Sequence, residues 1–138
     1  MDYQITKIEK HSDVRGQLVV FLRNSELKAR NKKFGQIYFV SFNKKGIVRG
    51  NHYHKKWREW FGIVHGRVAV ELEHVLTGER VSLKLDSEHS SYVRLEIGPN
   101  IAHAFKSLSD SVSLLNYGDK EWSAKDSHHY QLLKGGKK

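Results

Sequence analysis

His52 and His54 are separated by a single residue. Strand side chains alternate faces with a period of two, so in an extended segment both imidazoles look into one space. Glu59 follows five residues after His54, enough chain to turn and bring a carboxylate back towards them at the start of a second strand. Further on, Ile97-Gly98-Pro99-Asn100-Ile101-Ala102-His103 places a third histidine just after a tight turn, with Asn100 able to take left-handed backbone geometry. Two chemistries suit this set. An imidazole whose ordinary pKa lies near neutrality can remove a proton from the carbon beside a ketone. The same residues, His52, His54, Glu59 and His103, offer three nitrogens and one oxygen to zinc, iron, manganese or nickel. Residue types alone leave both open. Nucleophile elbows of the GxSxG kind and GxxxxGKS/T phosphate loops are absent, so chemistry must rest on histidine, glutamate, tyrosine and arginine.

The elements that would position these groups read as strands. Residues 17–22 and 36–42 are rich in β-branched and aromatic side chains, and residues 67–73, 80–85 and 92–97 alternate apolar and polar, the pattern of a half-buried strand. Turn signals separate them at Gly66, Thr77-Gly78-Glu79 and Gly98-Pro99-Asn100. Many short strands with a single proline predict an antiparallel sandwich or barrel. Residues 25–33 are polar and read as an exposed loop in preference to a short helix. The tail from Ser123 carries His128 and His129, read as solvent-exposed, and an apolar trio, Tyr130, Leu132 and Leu133, expected to dock on the barrel or on a second subunit. Residues 135–138 are expected to fray.

A length of 138 residues bounds the chain to one domain with a single core. Cysteine is absent, which excludes disulfides and thiolate metal sites. The first ten residues carry no apolar run of the signal-peptide kind, and no stretch approaches the roughly 20 apolar residues of a spanning helix, so a cytoplasmic protein without membrane contact is expected. The balance of 24 Lys and Arg against 15 Asp and Glu gives +9, a field that favours anionic partners. Most of that charge is read as solvated surface. His65, His74 and His89 are read as ordinary surface or core residues, and Trp57, Trp60 and Phe61 as core or pocket wall.

The spacing G-x5-H-x-H-x4-E-x6-G from Gly46 to Gly66 resembles the first motif of the cupin superfamily, and GPNIAH, with Asn100 in place of a usual glycine, resembles a shortened second motif. Asp13-x-Arg15-Gly16, Arg49-Gly50-Asn51-His52-Tyr53 and Pro99-Asn100-Ile101-Ala102-His103-Ala104-Phe105 are similar to the DxRG, RGLHY and PxGxAHGF segments of dTDP-4-dehydrorhamnose 3,5-epimerases. The stretch from Gln36 and Tyr38 to His52-Tyr53-His54-Lys55-Lys56 resembles, without gaps, dTDP-sugar 3,4-ketoisomerases, which carry GxHAHKK. RGNHYH is likewise similar to the cupin domain of capsular-polysaccharide reductases. These resemblances span roughly residues 11 to 123.

They imply an all-β, RmlC-like cupin jelly-roll barrel with its site in the mouth. They also imply a cytoplasmic isomerase, an epimerase or 3,4-ketoisomerase, acting on a dTDP-4-keto-6-deoxyhexose in surface polysaccharide biosynthesis. His52 would be the base, His103 a group near the sugar and Tyr38 a further active-site residue. Arg15 and Arg49, each beside a glycine inside a matched motif, would hold the pyrophosphate, with Asn51 and Lys56 as further substrate contacts. Such an enzyme needs no cofactor, although a divalent metal such as zinc remains an option for His52, His54, Glu59 and His103. Trp122 stands where the epimerases carry a proton-donating tyrosine, which leaves a non-catalytic metal- or sugar-binding cupin as the alternative. A homodimer sharing residues 18–22 between subunits is expected, with a nucleotide sugar and no nucleic acid as partner.

Overall fold

The computed structural model describes residues 1–28 and 34–135, and within them no α-helix forms. Twelve strands run in chain order: β1 Tyr3–Ile8, β2 Lys10–Asp13, β3 Gly16–Val19, β4 Gln36–Phe42, β5 Val48–Tyr53, β6 Glu59–His65, β7 Arg67–His74, β8 Arg80–Asp86, β9 Tyr92–Ile97, β10 Ile101–Ser107, β11 Val112–Gly118 and β12 His128–His129. They build two five-stranded antiparallel sheets, ordered β1-β9-β6-β11-β4 and β12-β5-β10-β7-β8, which pack face to face as a jelly roll. A two-stranded hairpin, β2–β3, forms a sheet of its own, with Val19 packed against the core.

Alternation explains the core. In β7 the even positions Val68, Val70 and Leu72 are fully buried between the sheets, while Arg67, Glu71 and Glu73 face away. They meet Phe61, Ile63, Leu95, Ile97, Phe105 and Leu114 from the neighbouring and facing strands. β10 breaks the rule because both of its faces are covered. His103 and Phe105 point inward, and the small side chains of Ala102 and Ala104 lie under Leu132, with Tyr130 and Leu133 alongside, from the C-terminal tail. The apolar trio of the tail therefore docks on the barrel.

The expected turns at Gly66, Thr77–Glu79 and Gly98–Asn100 all separate strands, and Asn100 adopts φ 64°. The expected strand over residues 17–22 is shorter: β3 ends at Val19 and, among the described residues, pairs with β2 alone. After it, a 3-10 turn at Asn24–Glu26 opens the polar segment expected as a loop; Glu26 is held there by Arg94, while residues 29–33 of that segment lie outside the described residues. Of the tail expected to fray, residues 136–138 also lie outside them. No helix among the described residues is long and apolar enough to cross a membrane.

Candidate active site

A cavity of about 320 Å³ opens between the two sheets. One wall comes from β4, with Gln36, Tyr38, Val40 and Phe42 on its inward face; the other comes from β5 and β10, with Arg49, His52, His103 and Phe105. Glu59 and Phe61 of β6, Leu114 of β11, and Trp57 and Trp122 from the connections complete it. Strand periodicity alone would set Arg49 and His52 on opposite faces, since they are three residues apart. The register explains why they are not. Ala104 pairs with Gly50 and His103 with His52, so Asn51 is an extra residue, a bulge that resets the alternation. Gly50 at φ 94° and Asn51 at φ 57° supply the left-handed backbone, and a Cβ on Gly50 would sit 2.7 Å from the carbonyl oxygen of His103.

His52, His54 and His103 converge, with candidate ligand nitrogens all within 4.8 Å of one another. His54 lies just beyond the end of β5, where its Nδ1 donates to the Asp126 carbonyl at 2.6 Å. His103 Nδ1 donates to the Ile101 carbonyl at 3.1 Å. Both Nε2 lone pairs are thereby turned inward to Glu59 Oε2, 3.7 Å from His54 and 3.3 Å from His103. Asn116 Nδ2 donates to the other carboxylate oxygen, Oε1, at 3.3 Å.

Burial sets the charge state of this cluster. Desolvation, opposed by the Asn116 amide and helped by Asp119, raises the Glu59 carboxyl to about 8. Desolvation first, then the neighbouring imidazoles, lowers His103 well below its ordinary value and takes His52 down to about 4; His54 is lowered as well, by burial. Near neutrality the three imidazoles are neutral and Glu59 is protonated, so its contacts to His54 and His103 are not ion pairs. The Tyr38 phenol is pushed up, first by burial and then by Glu59, and remains a proton donor. The three imidazoles, two of them with fixed inward lone pairs, lie close enough together to hold a divalent cation, and Glu59 Oε2 borders His54 and His103.

His52, His54, Glu59 and His103 are thus brought together, and Tyr38 and Arg49 share their cavity. The Arg49 guanidinium lies 5.6 Å from the Phe42 ring centroid, and its Nε donates to Ser41 O. Three expected substrate contacts fall elsewhere. Arg15 sits at the exposed tip of the β2–β3 hairpin, paired with Asp13 at 2.5 Å. Lys56 is exposed, outside the cavity, its amide donating to Asp126. Asn51 is turned outward by the bulge, and its amide clamps Leu132 and Leu133. Sequence reasoning missed Asp126 and Asn116, which orient His54 and Glu59, because their partners lie 72 and 57 residues away. His65 is exposed, His74 caps the β7–β8 turn through Nδ1, and His89 bonds within its own loop.

The fold is a jelly roll of the cupin kind, its mouth lined by histidines from β5 and β10 and a glutamate from β6. Residues 11–122 match the model of the polysaccharide biosynthesis C-terminal domain, and the chain belongs to that family. No curated protein matches it. Solved structures share the fold at low identity. The 3'-monoepimerase ChmJ from Streptomyces bikiniensis, in complex with dTDP-quinovose, superposes with a TM-score of 0.80 at 18% identity, over 92% of this chain and 68% of its own. A dTDP sugar isomerase from Desulfovibrio desulfuricans gives 0.81 at 20%, over 94% and 84%. The sugar 3,4-ketoisomerase from Thermoanaerobacterium thermosaccharolyticum, in complex with TDP, gives 0.75 at 20%, over 91% and 86%.

Proposed function

We propose that the protein is a nucleotide-sugar epimerase or 3,4-ketoisomerase acting on a dTDP-4-keto-6-deoxyhexose. The observation that carries this reading is the pairing of a half-buried, neutral His52 on one sheet with a protonated Tyr38 on the facing sheet, across one cavity of about 320 Å³. His52 takes the proton from the carbon next to the ketone, leaving an enolate. Tyr38 gives a proton back from the opposite wall. Return to the same carbon inverts it, and return to the neighbouring carbonyl carbon, after the proton on oxygen has moved, shifts the ketone. In this reading the diphosphate lies along the rim of the cavity, where Arg49 supplies a cationic fork. The fold's likeness to the epimerase, isomerase and ketoisomerase structures supports the choice of substrate class. The test is incubation of the full chain with dTDP-4-keto-6-deoxyglucose: a new hexose supports the reading, and unchanged sugar contradicts it.

The second reading, a metal- or sugar-binding cupin without turnover, is favoured by one observation, the inward lone pairs of His54 and His103 on either side of Glu59. Here His52, His54, Glu59 and His103 hold the ion. Bound zinc would supply a Lewis acid to an oxygen in the cavity. Trp122 at the mouth, 56% exposed, is not a proton donor and fits a wall of either pocket.

Association is part of the same proposal. The outer face of β4 exposes Ile37 and Phe39, the latter at 73%, and the hairpin exposes Leu18, an apolar surface that a second copy would cover. Sedimentation is expected to give twice the chain mass of 16.0 kDa, and a species at 16.0 kDa at micromolar concentration would contradict it.

A further inference from the structure

We propose that the C-terminal segment, residues 124–133, is a working part of the site, holding His54 as its Nδ1–H tautomer through Asp126. The proposal rests on His54 belonging to the reactive cluster. The segment lies beyond the family match, which ends at residue 122.

The tail is tied down along its length. A 3-10 turn, Ala124–Asp126, is capped by the Ser123 hydroxyl accepting from Lys125 N. β12 then pairs with β5, setting His129 opposite His52. Tyr130 N donates to Asn51 O at 2.8 Å, Leu132 N and Leu133 N donate to Asn51 Oδ1 at 2.9 and 3.1 Å, and Asn51 Nδ2 donates to Leu133 O at 2.9 Å. Arg80 Nη2 donates to Leu132 O, Tyr130 bonds Glu73, and the Leu132 side chain closes over Ala102 and Ala104. The Asn51 that makes these bonds is the bulge residue that turns His52 inward. One device therefore aims a histidine into the cavity and grips the tail outside it.

Asp126 carries this scaffold to His54. Its carbonyl accepts from His54 Nδ1 at 2.6 Å, and its carboxylate oxygens accept Lys55 N at 2.8 Å and Lys56 N at 3.0 Å. The chain after His54 is thus fastened to the residue that fixes the ring. A carbonyl can only accept, so the proton must reside on Nδ1 and the Nε2 lone pair must face Glu59. Without that carbonyl an imidazole favours Nε2–H in water, which would put a hydrogen where the site needs a lone pair. Asp126 is a positioning residue, since it acts through His54.

The test is the tautomeric state of each histidine, read by long-range proton–nitrogen spectra of the full chain near neutral pH. In the wild type, His54 and His103 are both expected as Nδ1–H. A chain ended after Ser123 lacks the Asp126 carbonyl, so His54 loses that state while His103, held by Ile101, keeps it and serves as the internal control; Asp126→Ala keeps the carbonyl but frees it from Lys55 N and Lys56 N, and is expected to shift His54 part of the way. Asp126→Asn, which retains an oxygen for one of the two amides, restores most of the His54 signature. Should Asp126→Ala fail to fold, Asn51→Gly keeps the left-handed backbone, removes the clamp on the tail, and is expected to shift His54 in the same direction. His54 found as Nε2–H in the wild type, or unchanged Nδ1–H in the folded variants, overturns the proposal. Absence of turnover with this tautomer pattern intact would overturn the proposed reaction and leave the positioning role standing.

Discussion

His52→Asn is expected to lower turnover by at least about a hundredfold, the scale on which loss of a general base acts, while the barrel stays folded. His52 is half-buried at the cavity wall, and its ring meets His103 edge-on and His54 at a tilt, at centroid distances of 4.8 and 5.0 Å. Asparagine removes those contacts without burying a charge or emptying the core. The pH profile provides a second signature. A base must be unprotonated to act, and His52 is held down to about 4 by burial and by His54 and His129. The acid limb of kcat/KM should therefore lie near pH 4 and not at the 6.5 of a free imidazole. Near-normal turnover in the variant, or an acid limb at the free value, would remove His52 from the role.

Glu59→Gln is expected to have two large effects of opposite sign. In the metal-free protein the Glu59 carboxyl has its folded pKa raised from 4.5 to about 8. A raised folded pKa means that the native state holds the proton where the unfolded chain has lost it, so stability is full below pH 4.5 and falls as pH rises through about 8. Glutamine mimics the protonated carboxyl and cannot ionise, so the variant should lose this alkaline decline in melting temperature. Zinc binding should move the other way. Glutamine removes the only anionic ligand, and affinity should drop by at least the roughly tenfold to hundredfold that outer-shell partners of metal ligands are worth. Wild-type affinity itself should fall with acidification, as the imidazoles and Glu59 take up protons. If protein purified without chelator carries no stoichiometric metal, and added zinc does not raise its melting temperature, the second reading fails and Glu59 serves to orient His54 and His103.

Much of this molecule was legible as pattern. β4 and β9 fall on the segments read as strands, and β7 and β8 extend them by one residue, because in each the chain alternates or carries β-branched and aromatic side chains. The spacing of His52, His54 and Glu59 and the turn before His103 marked the site, since a two-residue period and a glycine-rich turn are local properties. What escaped was whatever depended on a partner far along the chain. β10 is buried on both faces, so it shows no alternation, and β11 buries Asn116 among apolar residues. The bulge at Asn51 is invisible to a period-two reading, yet it puts Arg49 beside His52 and turns Asn51 away to the tail. Arg15 fits a motif but stands on a hairpin that neither sheet adopts. Asp126 carries no motif at all, and only the fold brings its carbonyl to His54.

The central claim is proton transfer at the carbon beside a sugar ketone, and solvent exchange tests it most directly. The full chain would be incubated with dTDP-4-keto-6-deoxyglucose in deuterium oxide and the hexose followed by nuclear magnetic resonance. Deuterium should enter at C3 if the sugar is epimerised, with C5 joining it if the pocket also reaches that carbon, or at C4 if the ketone moves to C3, and His52→Asn should abolish the incorporation. A sugar that binds and is recovered with all of its carbon-bound hydrogens would contradict the account and leave a binding protein in its place.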